Sequence, residues 1–391
     1  MGGARRALGC LALAAAAAAA QSELTLRDGS APPEGRVASC SIEGVVVASP
    51  VTGELIVGWE RVRTVSGEHG AEAGAFGGVS DQAWRALARL ERGDIPAAEP
   101  LLEGLFMTFA DRTGPTAAAV SGGLLRCRID RGAHTLAVGA WLSWLHATGA
   151  DRRRWFDPDA SATVGAVDGA TGLLPELPPI WLDLSSVRVF GDAPAAGASF
   201  GGREQALAEL YRHAARARSG GREPMPRLTS PDPGVHLVWD IVAAQSAITQ
   251  ERAAGRRAVE VRLRAEPAGW VDAWLRTALG RSLLLEPEAE QRQRGVIELL
   301  RVRVAHERDC PYLAGLSLAD AAVAMRSLGD ADAGGMLRRE LLDRFPGHPA
   351  AGTEAIMLWD SPQPVGVLPS GPTIPPAGAG QFSEESRKLH G

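Results

Sequence analysis

Two Arg-Gly pairs, Arg92-Gly93 and Arg131-Gly132, stand 39 residues apart, each between two helical runs. Before the first, "SDQAWRALARLERGD" (80–94) places Trp84, Leu87 and Ala88 at i, i+3 and i+4, with Ser80 as the cap. "IPAAEPLLEGLFMTF" (95–109) follows as a second helix. Pro96 suits its start, and Pro100, which removes an internal hydrogen bond, is expected to delay or kink it. Around the second corner, "SGGLLRCRIDRGAHTLAVGAWLSWLHATG" repeats the arrangement, with Ala137, Ala140, Trp141, Trp144 and Leu145 on one face. Toward the C-terminus the spacing returns: Gly295 of "GVIELLRV" and Gly335 of "GMLRRELL" are 40 residues apart. One hairpin of amphipathic helices cannot bury its apolar face alone and must stack on a neighbour. The expected fold is therefore mainly α, an antiparallel helical-hairpin array over residues 81–149 and 203–350.

Within that array, "ALARLERGDIPAAEPLLEGLF" and "LLDRFPGHPA" resemble tetratricopeptide-type repeats. The likeness lies in the small-residue helix faces, the Gly-Asp corner and the closing Phe-Pro. The units run longer than the usual period, and the repeat consensus is degenerate. The resemblance implies an α-solenoid whose groove holds a protein or peptide partner.

Ahead of the array, periodicity is two rather than 3.6. In residues 21–65, Leu24 and Leu26 alternate with Thr25 and Arg27 before an Asp28-Gly29 turn; "EGRVASCSIEGVVVAS" and "ELIVGWERVRTV" supply further short runs. So many strands in so few residues predict a small closed barrel, because an open sheet that short would expose both edges. The pattern is similar to the Sm-like or SH3-like barrels of exported bacterial proteins. "SGEHGAEAGAFGGVS" (66–80) is expected to be a Gly/Ala-rich linker.

The first 20 residues read as an export signal. Arg5 and Arg6 precede the apolar run Ala7 to Ala20, which is too short to span a bilayer and ends in an A-x-A site before Gln21. Cys10 sits at the start of that run, not after it, which argues against lipidation. No other run reaches membrane-spanning length, so the mature chain is expected to have no transmembrane span. The full chain has a formal charge of −5, about −7 once Arg5 and Arg6 leave with the signal, and no basic stripe, which argues against nucleic acid as a partner. Cys40, Cys127 and Cys310 allow at most one disulfide after cleavage, and spacing does not choose the pair.

Three segments break the helical pattern. Residues 150–202 form a Pro/Gly-rich insertion whose Leu173, Leu174, Leu177, Ile180, Trp181, Leu182 and Leu184 are too apolar for free solvent. They are expected to pack on the helices, in the groove. Residues 258–266 alternate strictly and leave strand or helix open. Residues 351–391 are Pro/Gly/Ser-rich and expected to be disordered.

No motif carries a convincing reaction. "GASFG" (197–201) fits G-x-S-x-G with Ser199 as nucleophile, but no strand precedes it to make the strained elbow. His306, Asp309 and Cys310 fall short of a four-ligand metal site, and "RGD" (92–94) is an inter-helix corner. No catalytic residue, metal or cofactor is assigned. Tryptophans at helical spacing belong by default to the core. Trp141, Trp144, Trp181 and Trp274 are nevertheless the candidate anchors if any face the groove. The expectation is an exported, non-catalytic scaffold or adaptor in the periplasm or cell envelope, holding a protein or peptide partner there. Two alternatives stay open: a serine hydrolase using Ser199, and a carbohydrate-binding envelope protein using exposed tryptophans.

Overall fold

A computed structural model describes residues 23–149, 152–156, 167–182, 185–192 and 200–359. The expected export signal at 1–20, Ser199, Leu184 and residues 360–391 of the expected tail lie outside them. The described chain is mainly helical, with a small antiparallel sheet region at its N-terminal end. Among the described residues no helix is long and apolar enough to cross a membrane.

The barrel expected from the sequence does not close. β1 (Leu24–Leu26) pairs only with β5 (Val62–Val65), while β2 (Arg36–Ser41), β3 (Gly44–Ser49) and β4 (Gly53–Val57) form a separate three-stranded sheet. Bulges at Thr25/Leu26 and Val37/Ser39 bend both ladders. Side chains then complete what hydrogen bonds do not: Leu26, Val45, Val57, Trp59 and Val62 make a core of their own. The outer edge of β4 is covered, because Phe156 donates its amide to Ile56 O at 2.9 Å and Trp155 bridges beside it.

Residues 66–80 are not a free linker. They hold a 3₁₀ turn at Gly67–His69, α1 (Gly70–Gly74) and the start of α2 (Gly77–Glu91). Ala73, Phe76 and Val79, three residues apart, press on the sheet core, and Val79 also touches the helical core. Composition suggested a spacer, but this apolar stripe docks it.

Helices then follow as neighbours: α3 (Ile95–Phe109), α4 (Pro115–Asp130), α5 (His134–Thr148), α6 (Ser185–Asp192), α7 (Gly202–Arg218), α8 (Pro233–Ala243), α9 (Thr249–Leu263), α10 (Gly269–Leu284), α11 (Ala289–His306), α12 (Pro311–Ser327), α13 (Ala331–Arg344) and the short α14 (Glu354–Met357). From α2 to α5 and from α7 to α13, each packs on the next. Pro100 lies inside α3 without delaying its start at Ile95. The alternating stretch 258–266 is helical through Leu263.

Both Arg-Gly corners are glycine-capped helix ends. Gly93 and Gly132 have φ of 75° and 74°, a region costly for any residue with a Cβ. Each corner makes the same two bonds back into the helix, Gly93 N to Leu90 O with Asp94 N to Arg89 O, and Gly132 N to Ile129 O with Ala133 N to Arg128 O. Gly295 has another role: a Cβ there would sit 2.7 Å from Gly280 O, so it lets α10 and α11 touch backbone to backbone. In the last hairpin Gly334 rather than Gly335 holds that position, where an added Cβ would sit 2.9 Å from Ala322 O.

The expected tail is partly built. Pro349–Gly352 form a 3₁₀ turn, Ile356 is buried, and Trp359 lies against Gly334 with Arg326 over its ring at 4.9 Å. Cys40, Cys127 and Cys310 are buried and unpaired.

Candidate functional site

Residues 173–182, "LLPELPPIWL", run through the helical core as a non-helical strap, turned once at Pro175-Glu176, where Leu177 N donates to Leu174 O at 3.0 Å. Leu173, Leu174, Leu177, Ile180, Trp181 and Leu182 are buried among the helices, as their apolarity demanded. A non-helical segment inside a protein must satisfy its backbone, and Pro175, Pro178 and Pro179 reduce the problem by having no amide hydrogen. Three of its carbonyls accept from side chains of the surrounding helices. Trp274 Nε1 donates to Pro175 O at 3.0 Å, Tyr211 Oη to Leu177 O, and Arg281 Nη1 to Trp181 O at 2.7 Å. Upstream, Arg203 Nη2 donates to Thr171 O at 2.7 Å. The Thr171 hydroxyl and amide both donate to Asp168 Oδ2, and those bonds hold its carboxyl below the ordinary carboxylate range.

The four candidate anchor tryptophans therefore belong to the interior. Trp141 and Trp181 pack on either side of Tyr211, at centroid distances of 5.4 and 5.9 Å. Trp274 holds the strap, and Trp144 is buried one turn beyond Trp141. All four side chains are buried, at most 7% exposed. The ordinary core reading holds for all four. Of the ten tryptophans only Trp84 is exposed, and Arg27 stacks on its ring at 5.0 Å.

The sequence reading missed an open cleft of about 430 Å³ beside the strap. Four distant stretches build it: the corner Asp130–His134, strap residues Pro175 to Pro178, the start of α12 at Asp309–Leu313, and Phe345–Pro349. Gly132 turns the chain so that His134 opens α5 with its Nδ1 donating to Gly132 O at 3.0 Å. Its ring stacks on Tyr312, centroids 4.0 Å apart. On the far side of Tyr312, His348 caps the last 3₁₀ turn. Its Nδ1 accepts from Ala350 N at 3.0 Å and its Nε2 donates to Tyr312 O at 2.9 Å. Those partners admit only the neutral ring, since the amide must donate and the carbonyl must accept. Gly315 leaves room for it; a Cβ there would lie 2.6 Å from the imidazole.

Burial sets the charge state of this floor. Desolvation pushes His134 down to about 4 and lowers His348. Burial also pushes Tyr312 up to about 12 and, with Asp309 and Glu176 nearby, Cys310 up to about 11. At neutral pH the floor is uncharged, and its thiol is held away from the nucleophilic form. The rim carries Asp130, Glu176 and Asp309, while Arg131 is drawn off by Glu99 at 2.9 Å.

The other sequence candidates do not converge here. His306 is buried with its Nε2 2.8 Å from Asp272 Oδ2, whereas Cys310 faces the cleft. Among the described residues no group of three or more His, Cys, Asp or Glu could hold a metal ion. Arg92-Gly93-Asp94 is the α2–α3 corner.

Acid should loosen the cleft. The fold holds His134 and His348 neutral below their ordinary value of 6.5, so the unfolded chain takes the proton first. Their stabilisation is complete above about pH 6.5 and is lost as pH falls toward 4. Amide exchange of residues 345–352 should accelerate between pH 7 and pH 4.5, relative to its intrinsic rate. Unchanged protection would contradict the neutral-imidazole geometry.

Comparison with protein-family models, with curated proteins and with solved structures found no match.

Proposed function

We propose that this chain is a non-catalytic, exported scaffold of the cell envelope, built on a divergent tetratricopeptide-like array, that binds a protein partner by an extended segment. The cleft carries the reading: an apolar floor of stacked aromatic and proline residues, held uncharged, inside an acidic rim. Such surfaces suit extended peptides, whose prolines and aliphatic side chains dock on aromatic walls. The contact surface differs from the groove expected at first, because the strap already fills the core. Export rests on the basic-then-apolar residues 1–20. The hydrolase alternative depends on Ser199, outside the described residues, and the glycan alternative on exposed tryptophans, of which there is one.

A photo-crosslinking side chain at Asp130 on the rim, in the chain's own cells, tests this. Val51, 80% exposed on the β3–β4 turn, serves as control. One envelope protein should be captured from Asp130 at least tenfold over Val51. Equal capture, or none despite efficient crosslinking, would refute the reading.

A further inference from the structure

We propose that, in the absence of a partner, the cleft is occupied by the chain's own segment Val367–Pro372, a tethered competitor that a partner must displace. This rests on the reading of the cleft as a site for extended segments.

The strap shows what kind of segment this array accepts. Its Leu173-Leu174-Pro175-Glu176-Leu177-Pro178 follows the order aliphatic, Leu, Pro, two variable residues, Pro. The same order recurs once the described residues have ended, as Val367-Leu368-Pro369-Ser370-Gly371-Pro372. In the strap, Leu177 N donates to Leu174 O at 3.0 Å and closes a turn with Pro175 and Glu176 at its centre, a place that proline suits. The turn buries Leu173, Leu174 and Leu177, while Pro175 and Pro178 line the cleft. The second segment has Gly371 where the strap has Leu177. With two aliphatic side chains where the strap buries three, it suits an open cleft beside the strap rather than the core. It also brings no charge to an uncharged floor, since Ser361 to Ser383 contain no acidic or basic residue.

Reach is consistent with this site. Trp359 ends the described chain against Arg326 and Gly334, whereas the cleft lies at Tyr312, the opposite end of α12. The 14 residues from Tyr312 to Arg326 correspond to about 21 Å of helix at 1.5 Å per residue. Residues 360–366, extended at about 3.1 Å each, cover about 22 Å and deliver Val367 to the cleft. Tethering of this kind gives an effective concentration on the order of millimolar, enough for a weak contact to persist.

The test uses the purified full chain at high dilution, with the photo-crosslinking side chain again at Asp130. Intramolecular links to residues 365–374 are expected, falling at least tenfold in the double variant Leu368→Asp, Pro369→Ala. Both substitutions lie outside the described residues. A labelled peptide of sequence 365–376, followed by fluorescence anisotropy, should bind the double variant at least tenfold more tightly than the parent chain. Links to other residues only, links of doubled mass, links unaffected by the double variant, or equal peptide affinity for the two proteins would each overturn the proposal. Partner capture in cells without a tail link would leave the functional reading standing and remove this one. A tail link without any partner would do the reverse.

Discussion

Replacing Arg281 with alanine should release the strap and destabilise the array by about 3–5 kcal/mol. Arg281 is buried on α10 and joins three pieces of chain through one guanidinium. Nε and Nη2 donate to Asp320 on α12 at 2.6 and 3.4 Å, while Nη1 donates to the Trp181 carbonyl at 2.7 Å. Alanine leaves a largely buried carboxylate without its cation and a buried carbonyl without its donor, which costs more than the pair itself contributes. Lysine should fall between, because one ammonium cannot reproduce a planar fork that meets two acceptors. The double change Arg281→Met, Asp320→Leu should recover part of the loss by removing the orphaned charge. Urea unfolding supplies the energies, and chymotryptic cleavage within 173–182 reports release of the strap. A loss under about 1 kcal/mol, with cleavage unchanged, would show that the apolar side chains alone hold it.

What the sequence made legible follows from how local each cause is. The Arg-Gly corners were readable because a left-handed glycine ends a helix using its own neighbours, and Gly93 and Gly132 do so with matching bonds. The burial of Leu173 to Leu182 was readable because so apolar a segment has no stable place in water. The open barrel was not, because bulges and the choice of ladder partners depend on contacts across the module, such as Trp59 Nε1 donating to Ser41 O at 2.8 Å. Nor was the fate of Trp141 and Trp274, since the strap that covers them is remote in sequence. The cleft is the least local feature of all. Its four stretches each look like helix punctuation, and only the accumulation of Phe345, Pro346, His348 and Pro349 at one corner hinted that it did more than end a helix.

The second large effect concerns the joint between the sheet module and the array. Glu60, in the turn between β4 and β5, is buried, and neither of its carboxyl oxygens has a hydrogen-bond partner of adequate geometry among the described residues. Gly58 lies so close that a Cβ there would overlap the carboxyl at 2.1 Å. Thr116, at the start of α4, accepts from Trp59 N at 2.8 Å and ties the joint together. Burial raises the pKa of Glu60 above its ordinary 4.5, against partial relief from its own amide, Thr116 and Arg61. The folded chain thus keeps a proton that the unfolded chain releases first. Stability from this group is therefore full below about 4.5 and falls as pH rises toward the folded value, with a slope of up to about 1.4 kcal/mol per pH unit. Glu60→Gln cannot titrate, so its stability difference from the parent should grow with pH above 4.5 and vanish below it. Urea unfolding of both proteins at several pH values from 4 to 8 measures that difference directly. Parallel curves would mean that the carboxyl ionises inside the joint, with a partner that burial has not taken from it.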